Sequence, residues 1–193
     1  MINTPNFAGW RVAILAEEDA NTDRLRRQLT LLGVASALQW LPLLPLDLPE
    51  LVIVDADRGW DELLPWPEGK PARPVVALLG SEAPGRIAWA IGCGASAIIP
   101  KPVSASTIYP ALVLAVASHQ RRMEAEAQVA KLEERLRLRP VVFAAINRLK
   151  TERRIDDEQA YRLLRECAMQ RRMPMEQLAA LFLGSSKALK DVG

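Results

Sequence analysis

Apolar residues along the chain fall into short continuous runs separated by polar, helix-spaced segments. WRVAILAEED, Trp10 to Asp19, is an apolar run ending in acids and reads as a strand. In NTDRLRRQLTLLG, Leu25, Leu29 and Leu32 recur at helical spacing, Asn21 or Thr22 caps the start and Gly33 stops the helix. VASALQW is a second strand, and LPLLPLDLP a proline-rich connector. The third strand, LVIVDAD, places Asp55 at its end. Residues 58–73 hold prolines and little periodicity, which predicts a loop with at most a short helix. PVVALLG is the fourth strand, APGRIAWAIGCG a short helix ending at Gly92 or Gly94, and ASAIIP the fifth strand. A helix then starts between Ser104 and Ser106.

Strands that are apolar throughout, alternating with helices, predict an α/β fold with a five-stranded parallel sheet covered on both faces. Functional groups in such sheets collect past the carboxyl ends of the strands. Glu17, Glu18, Asp55 and Lys101 all fall there and form a candidate site.

Beyond the sheet the pattern becomes purely helical. QRRMEAEAQVAKLEERLRLR has no glycine or proline before Pro140, where the spacing predicts a break. Val129, Leu132 and Leu136 step by three and four, the seam of a weak two-stranded coiled coil or one side of a solvated linker helix. VVFAAINRLKTERR, IDDEQAYRLLRECAMQRRM and PMEQLAALFLG each have helical spacing and predict a small three-helix unit. Asp156 or Asp157 caps its middle helix; Pro174 begins its last helix and Gly184 ends it.

Composition sharpens this division. The 193 residues suffice for one domain with a full core and a smaller unit. Residues 1–118 carry 9 Lys and Arg against 12 Asp and Glu; residues 119–193 carry 16 against 11. A net of −3 in front and +5 behind suggests two units with different partners. No apolar run approaches the roughly 20 residues that span a bilayer, and no signal peptide is read at the start. Cys93 and Cys167 are far apart and outside any motif, which fits a reducing cytoplasm. An enzyme is the class least supported: His119, the single histidine, sits on the linker helix, and no glycine-rich phosphate loop is present.

The segment AYRLLRECAMQRRMPMEQLA resembles the ANTAR module of transcription-antitermination regulators, carried by Ala160, Tyr161, Leu164, Ala168, Met169, Arg171, Arg172, Leu178 and Ala179. PELVIVDAD and GASAIIPKP resemble the third strand and the lysine–proline stretch of response-regulator receiver domains. The resemblance implies a receiver-like, flavodoxin-like domain over residues 8–118, a coiled-coil linker over 119–139, a three-helix ANTAR domain over 140–184 and a tail over 185–193. It further implies a protein of the amidase-operon or nitrate-assimilation kind, a homodimer through the coil that binds leader-RNA hairpins. No cofactor is expected unless the receiver works, in which case Mg²⁺ is. Where such regulators lack a working phosphosite, a ligand-sensing repressor protein sequesters them.

A working receiver needs two acids after strand one, a phosphoacceptor after strand three, a hydroxyl after strand four, a lysine after strand five and an aromatic within it. By resemblance Asp55 takes the phosphoacceptor position and Lys101 the lysine position. The acid pair falls on Ala16 and Glu17 with Glu18 next, the hydroxyl on Leu79 and the aromatic on Ile98. Glu17 and Asp55 are the only weak candidates for holding Mg²⁺, and a one-residue slip would bring Ser81 to the hydroxyl position. The expectation is a pseudo-receiver in which Asp55 pairs with Lys101. For RNA, the candidates are Ala145, Arg148, Lys150, Arg153, Arg154, Tyr161, Arg165, Arg171 and Arg172. Tyr161 either stacks a loop base or packs at its helix start, and nearby acids compete for some of the arginines. The family's alanine–lysine pair falls on Ala145 and Ile146; a shifted register would put it on Leu149 and Lys150. The rival readings are a phosphorylation-driven regulator using Asp55, and a protein-binding adaptor.

Overall fold

A computed structural model describes residues 5–184, so the tail at 185–193 lies outside the described residues. The elements in order are β1 (Arg11–Leu15), α1 (Ala20–Leu31), β2 (Ala35–Gln39), β3 (Leu51–Asp55), a 3₁₀ turn (Asp61–Leu63), β4 (Val75–Leu79), α2 (Pro84–Gly92) and β5 (Ala95–Pro100). Then follow α3 (Ala105–Arg153), α4 (Asp157–Gln170) and α5 (Met175–Gly184). The chain divides into two compact units, one ending at Glu124 and one beginning at Ala125, within the length of α3.

The first unit is a parallel sheet in the order β2-β1-β3-β4-β5. This is the flavodoxin-like winding, which puts the carboxyl ends of β1 and β3 side by side. β3 is buried along its whole length, as its unbroken LVIV run requires. On one face Leu25 and Leu29 of α1 and Ile108, Leu112 and Ala115 of α3 pack onto Val12, Ile14, Ile53, Val76 and Ile99. The other face has α2 as its α-helical cover, because β2–β3 and β3–β4 are joined by loops. Side chains from those loops, Leu43, Leu63 and Leu64 with Trp40, Trp60 and Trp66, join Trp89 of α2 in covering Leu15, Val52, Val54 and Val75. Trp40 and Trp60 meet edge to face, ring centroids 5.0 Å apart. Such large rings bury up to 250 Å² each and substitute for helical cover.

Capping departs from expectation at α1. Asp19, not Asn21 or Thr22, is the N-cap: its carboxylate accepts the Asn21 and Thr22 N–H groups, and Thr22 Oγ1 in turn accepts the Asp19 N–H. Burial raises the Asp19 pKa, but these bonds outweigh it and hold the group below its ordinary value. Gly33 follows the helix at φ +74, the left-handed conformation expected of a stop.

The predicted break at Pro140 does not occur. α3 runs through Pro110 and Pro140 alike. Pro140 leaves the Leu136 carbonyl without its helical donor, but Pro140 is exposed, so water can reach the gap. Beyond it Val142, Ala145, Ile146 and Leu149 form one apolar stripe that binds the helix into the second unit. The first helix of the three-helix unit is therefore the end of α3. Against that stripe pack Ala160, Leu164, Cys167 and Ala168 of α4 and Leu178, Ala179 and Phe182 of α5. Asp156 caps α4 in a reciprocal box with Gln159.

Candidate functional site

The ends of β3 and β5 bring Asp55 and Lys101 together, with the lysine Nζ 2.7 Å from Asp55 Oδ1. Asp57, which the sequence reading passed over, completes the cluster. Its Oδ2 lies 3.0 Å from the same Nζ. It also accepts the backbone N–H groups of Gly80 and Ser81, each at 2.9 Å, from the loop after β4. Asp57 is positioned locally, its own N–H donating to Asp55 Oδ1 at 3.0 Å. Burial pushes the Asp57 pKa up, but the Gly80 N–H, Lys101 and the Ser81 N–H outweigh it and hold the carboxyl below its ordinary range. Burial likewise pushes Lys101 down, and its hydrogen bonds to Asp55 and Asp57 reverse this and raise it. Asp57 and Lys101 are thus held ionised around neutrality, and with Asp55 they form a closed three-membered cluster.

Glu17 and Glu18 do not join it. Glu17 is paired with Arg58, and Glu18 is exposed. Among the described residues no three metal-ligating side chains gather. Mg²⁺ wants several oxygen ligands around an open position. Here the two carboxylates that converge share an ammonium, so the donor set does not suit the ion. Leu79 ends β4 without a hydroxyl, and Ser81 Oγ accepts the Ala83 N–H at the entry to α2. Ile98 is half exposed on β5. The signal for Asp57 in the sequence is a second acid two residues past the strand-end Asp55, in the turn that follows β3.

The second unit presents a different surface. Ala145 is fully buried in the helical core, and Ile146 is buried beside it. Arg148 spends its donors inside the unit: it pairs with Glu152 at 2.7 Å, donates to the Phe182 carbonyl at 3.2 Å and lies 4.8 Å over the Phe182 ring. Lys150 pairs with Asp157 at 2.7 Å. Within the unit both groups tie α3 to its neighbours. Arg153, Arg154, Arg165, Arg171 and Arg172 are exposed. Tyr161, Arg165 and Met169, spaced by four on α4, form an exposed aromatic, basic and apolar row.

Two of these arginines have a conformation that side chains rarely adopt. Arg154 (φ 54) and Arg172 (φ 53) follow α3 and α4 in the left-handed position where glycine is usual. The Cys167 thiol is raised by burial, opposed by Arg171, supported by Glu166 and opposed again by Arg153. Arg153 and Arg171 therefore both lie within electrostatic reach of one buried sulfur. The ends of α3 and α4 are each marked by an arginine pair.

The ANTAR domain family matches residues 130–183. The transcriptional regulatory protein PdtaR of Mycobacterium tuberculosis is 31% identical over 146 residues, spanning 74% of this chain and 71% of that protein. Among solved structures, the response regulator StyR has 16% identity over 92% of this chain and 100% of that one, with a TM-score of 0.47. A response regulator receiver protein from Burkholderia phymatum has 18% identity over 55% of this chain and 94% of that one, with a TM-score of 0.44. With a flavodoxin-like sheet in front and the three-helix unit behind, the chain belongs to the ANTAR family of transcription regulators, as a member that carries a receiver-like domain.

Proposed function

We propose that this protein is a transcription antiterminator that binds hairpins in a nascent leader transcript, and that its receiver-like unit is not switched by phosphorylation. The position of Asp57 carries the regulatory half of the proposal. A phosphoryl group on Asp55 would call on the Lys101 ammonium and on N–H donors of the loop after β4. Asp57 already holds both, through Lys101 at 3.0 Å and the Gly80 and Ser81 N–H groups at 2.9 Å. An internal carboxylate stands where the modification would have to bind, Leu79 supplies no hydroxyl, and among the described residues no three metal-ligating side chains gather. Incubation of the full chain with acetyl phosphate and Mg²⁺, followed by intact-mass analysis, is expected to leave the mass unchanged. A stoichiometric phosphoryl adduct that Asp55→Ala removes would overturn the reading.

The RNA half rests on the family and on the exposed arginines at the ends of α3 and α4. RNA hairpins are recognised through backbone charge and splayed loop bases. Arg154, Arg165 and Arg172 supply the first and Tyr161, half exposed, a platform for the second. Val129, Leu132 and Leu136 are exposed along one side of α3. A second copy of the chain covers that row in a coiled coil and supplies two bundles for two hairpins. Under this reading phosphate is not the signal, and the regulator it calls for is a repressor protein that sequesters the dimer and responds to a ligand.

A further inference from the structure

The β3–β4 connection contains a cleft outside the ion cluster. It measures about 380 Å³ and lies between the 3₁₀ turn and α2, lined by Asp61, Leu64, Trp66, Glu68, Trp89 and Cys93 among others. This is within the range of small-molecule sites. No Lys, Arg or His is among its lining residues. Its two indoles are pinned by their polar edges. Trp66 Nε1–H donates to the Cys93 carbonyl at 3.2 Å, and Trp89 Nε1–H donates to Asp61 Oδ1 at 3.2 Å. The wall is therefore aromatic and apolar, with two carboxylates and nothing cationic to neutralise them.

We propose that this cleft binds a small organic cation, an alkylammonium or quaternary ammonium compound. Indole faces attract such ions through the ring quadrupole, and a carboxylate beside the ring adds Coulombic attraction. An anion would meet two like charges, and a neutral solute would forgo both gains. The Cys93 thiol reports the field inside: burial first, then Asp61 and Glu68, push it up to about 12. Trp89 also packs over Gly59, where any added Cβ would collide with its ring. This binding does not rest on the reading of the unit as a receiver without phosphate chemistry.

The test is a titration of the full chain, labelled with ¹⁵N at its indoles, with choline and with its neutral isostere 3,3-dimethyl-1-butanol. Saturable shifts of the Trp66 and Trp89 indole signals are expected with choline, while Trp10 stays fixed. The isostere is expected to bind about tenfold more weakly, and Glu68→Gln to weaken choline about threefold to tenfold. A parallel arm with ethylammonium separates primary amines from quaternary ones. Glu68 is exposed, so its replacement by glutamine leaves the fold intact, as the unchanged Trp10 signal would verify. No saturable shift with either cation would overturn the proposal, as would equal affinity for choline and its isostere, or indifference to Glu68→Gln. The titration contains neither RNA nor phosphodonor, so its failure would leave the antitermination reading standing.

Discussion

Asp57→Asn isolates the group that closes the ion cluster. The substitution keeps shape but removes the charge and turns one acceptor oxygen into a donor. That carboxylate now serves three donors, Gly80 N–H, Ser81 N–H and Lys101 Nζ. Hydrogen bonds to a charged group contribute about 1.5–3 kcal/mol net, and a backbone N–H left facing a donor costs about 1–3 kcal/mol. The Asp57 side chain is 22% exposed, and Asp55 still partners Lys101, which argues for the lower part of that range. A loss of about 2 kcal/mol is expected at neutral pH. With a urea slope of about 2 kcal/mol per molar, the midpoint should fall by about 1 M. Tryptophan fluorescence reports this unit alone, because all five tryptophans, Trp10 to Trp89, precede Glu124. The pH dependence has a fixed sign. Asp57 is held below its ordinary 3.8, so its contribution is present above that value and vanishes as pH falls through the depressed one. Lys101 is raised above 10.5, so its share is present below that value and disappears only as pH climbs through the raised one. The gap between wild type and Asp57→Asn should hold across neutral pH and close in strong acid. A midpoint shift under about 0.3 M, or a gap that persists unchanged in strong acid, would refute the cluster as described.

Other substitutions probe the remaining parts. Gly59→Ala places a methyl group inside the Trp89 ring and should destabilise the first unit by about 1–3 kcal/mol, read as a lower urea midpoint by the same fluorescence. Arg154→Gly and Arg172→Gly remove left-handed strain, so each should stabilise the helical unit by about 0.5–1 kcal/mol in thermal melts followed by circular dichroism. If these arginines contact phosphates, each change should also lower the salt slope of RNA binding by about 1. Leu132→Glu puts charge on the exposed α3 row, and sedimentation should show the dimer shifting to monomer with the helical melt of the second unit intact.

The strands were legible because fully buried parallel strands write themselves as unbroken apolar runs, LVIVD above all. The sheet's second face was not. Its cover is built from loops, and loops such as 58–73 carry no periodicity to announce which tryptophan turns inward. Helix continuity through Pro140 was misread for a related reason. A local breaker rule was applied where the stripe Val142, Ala145, Ile146 and Leu149 decides the outcome through packing. The same stripe, at spacings of three and four, already marks Ala145 as core, and alignment to the family's alanine–lysine pair obscured that. Asp55 and Lys101 were found as strand-end residues. Asp57 is not legible from the strand pattern, because it lies in the turn past β3 and is placed by its own N–H donating to Asp55 Oδ1.

The central claim is RNA binding that owes nothing to phosphorylation. The most direct measurement titrates the full chain into a two-hairpin leader RNA from its own operon across a salt series, with and without acetyl phosphate and Mg²⁺. The account predicts tight binding that weakens linearly in log salt and is the same under both conditions. Binding that appears only with the phosphodonor and is lost in Asp55→Ala would contradict it.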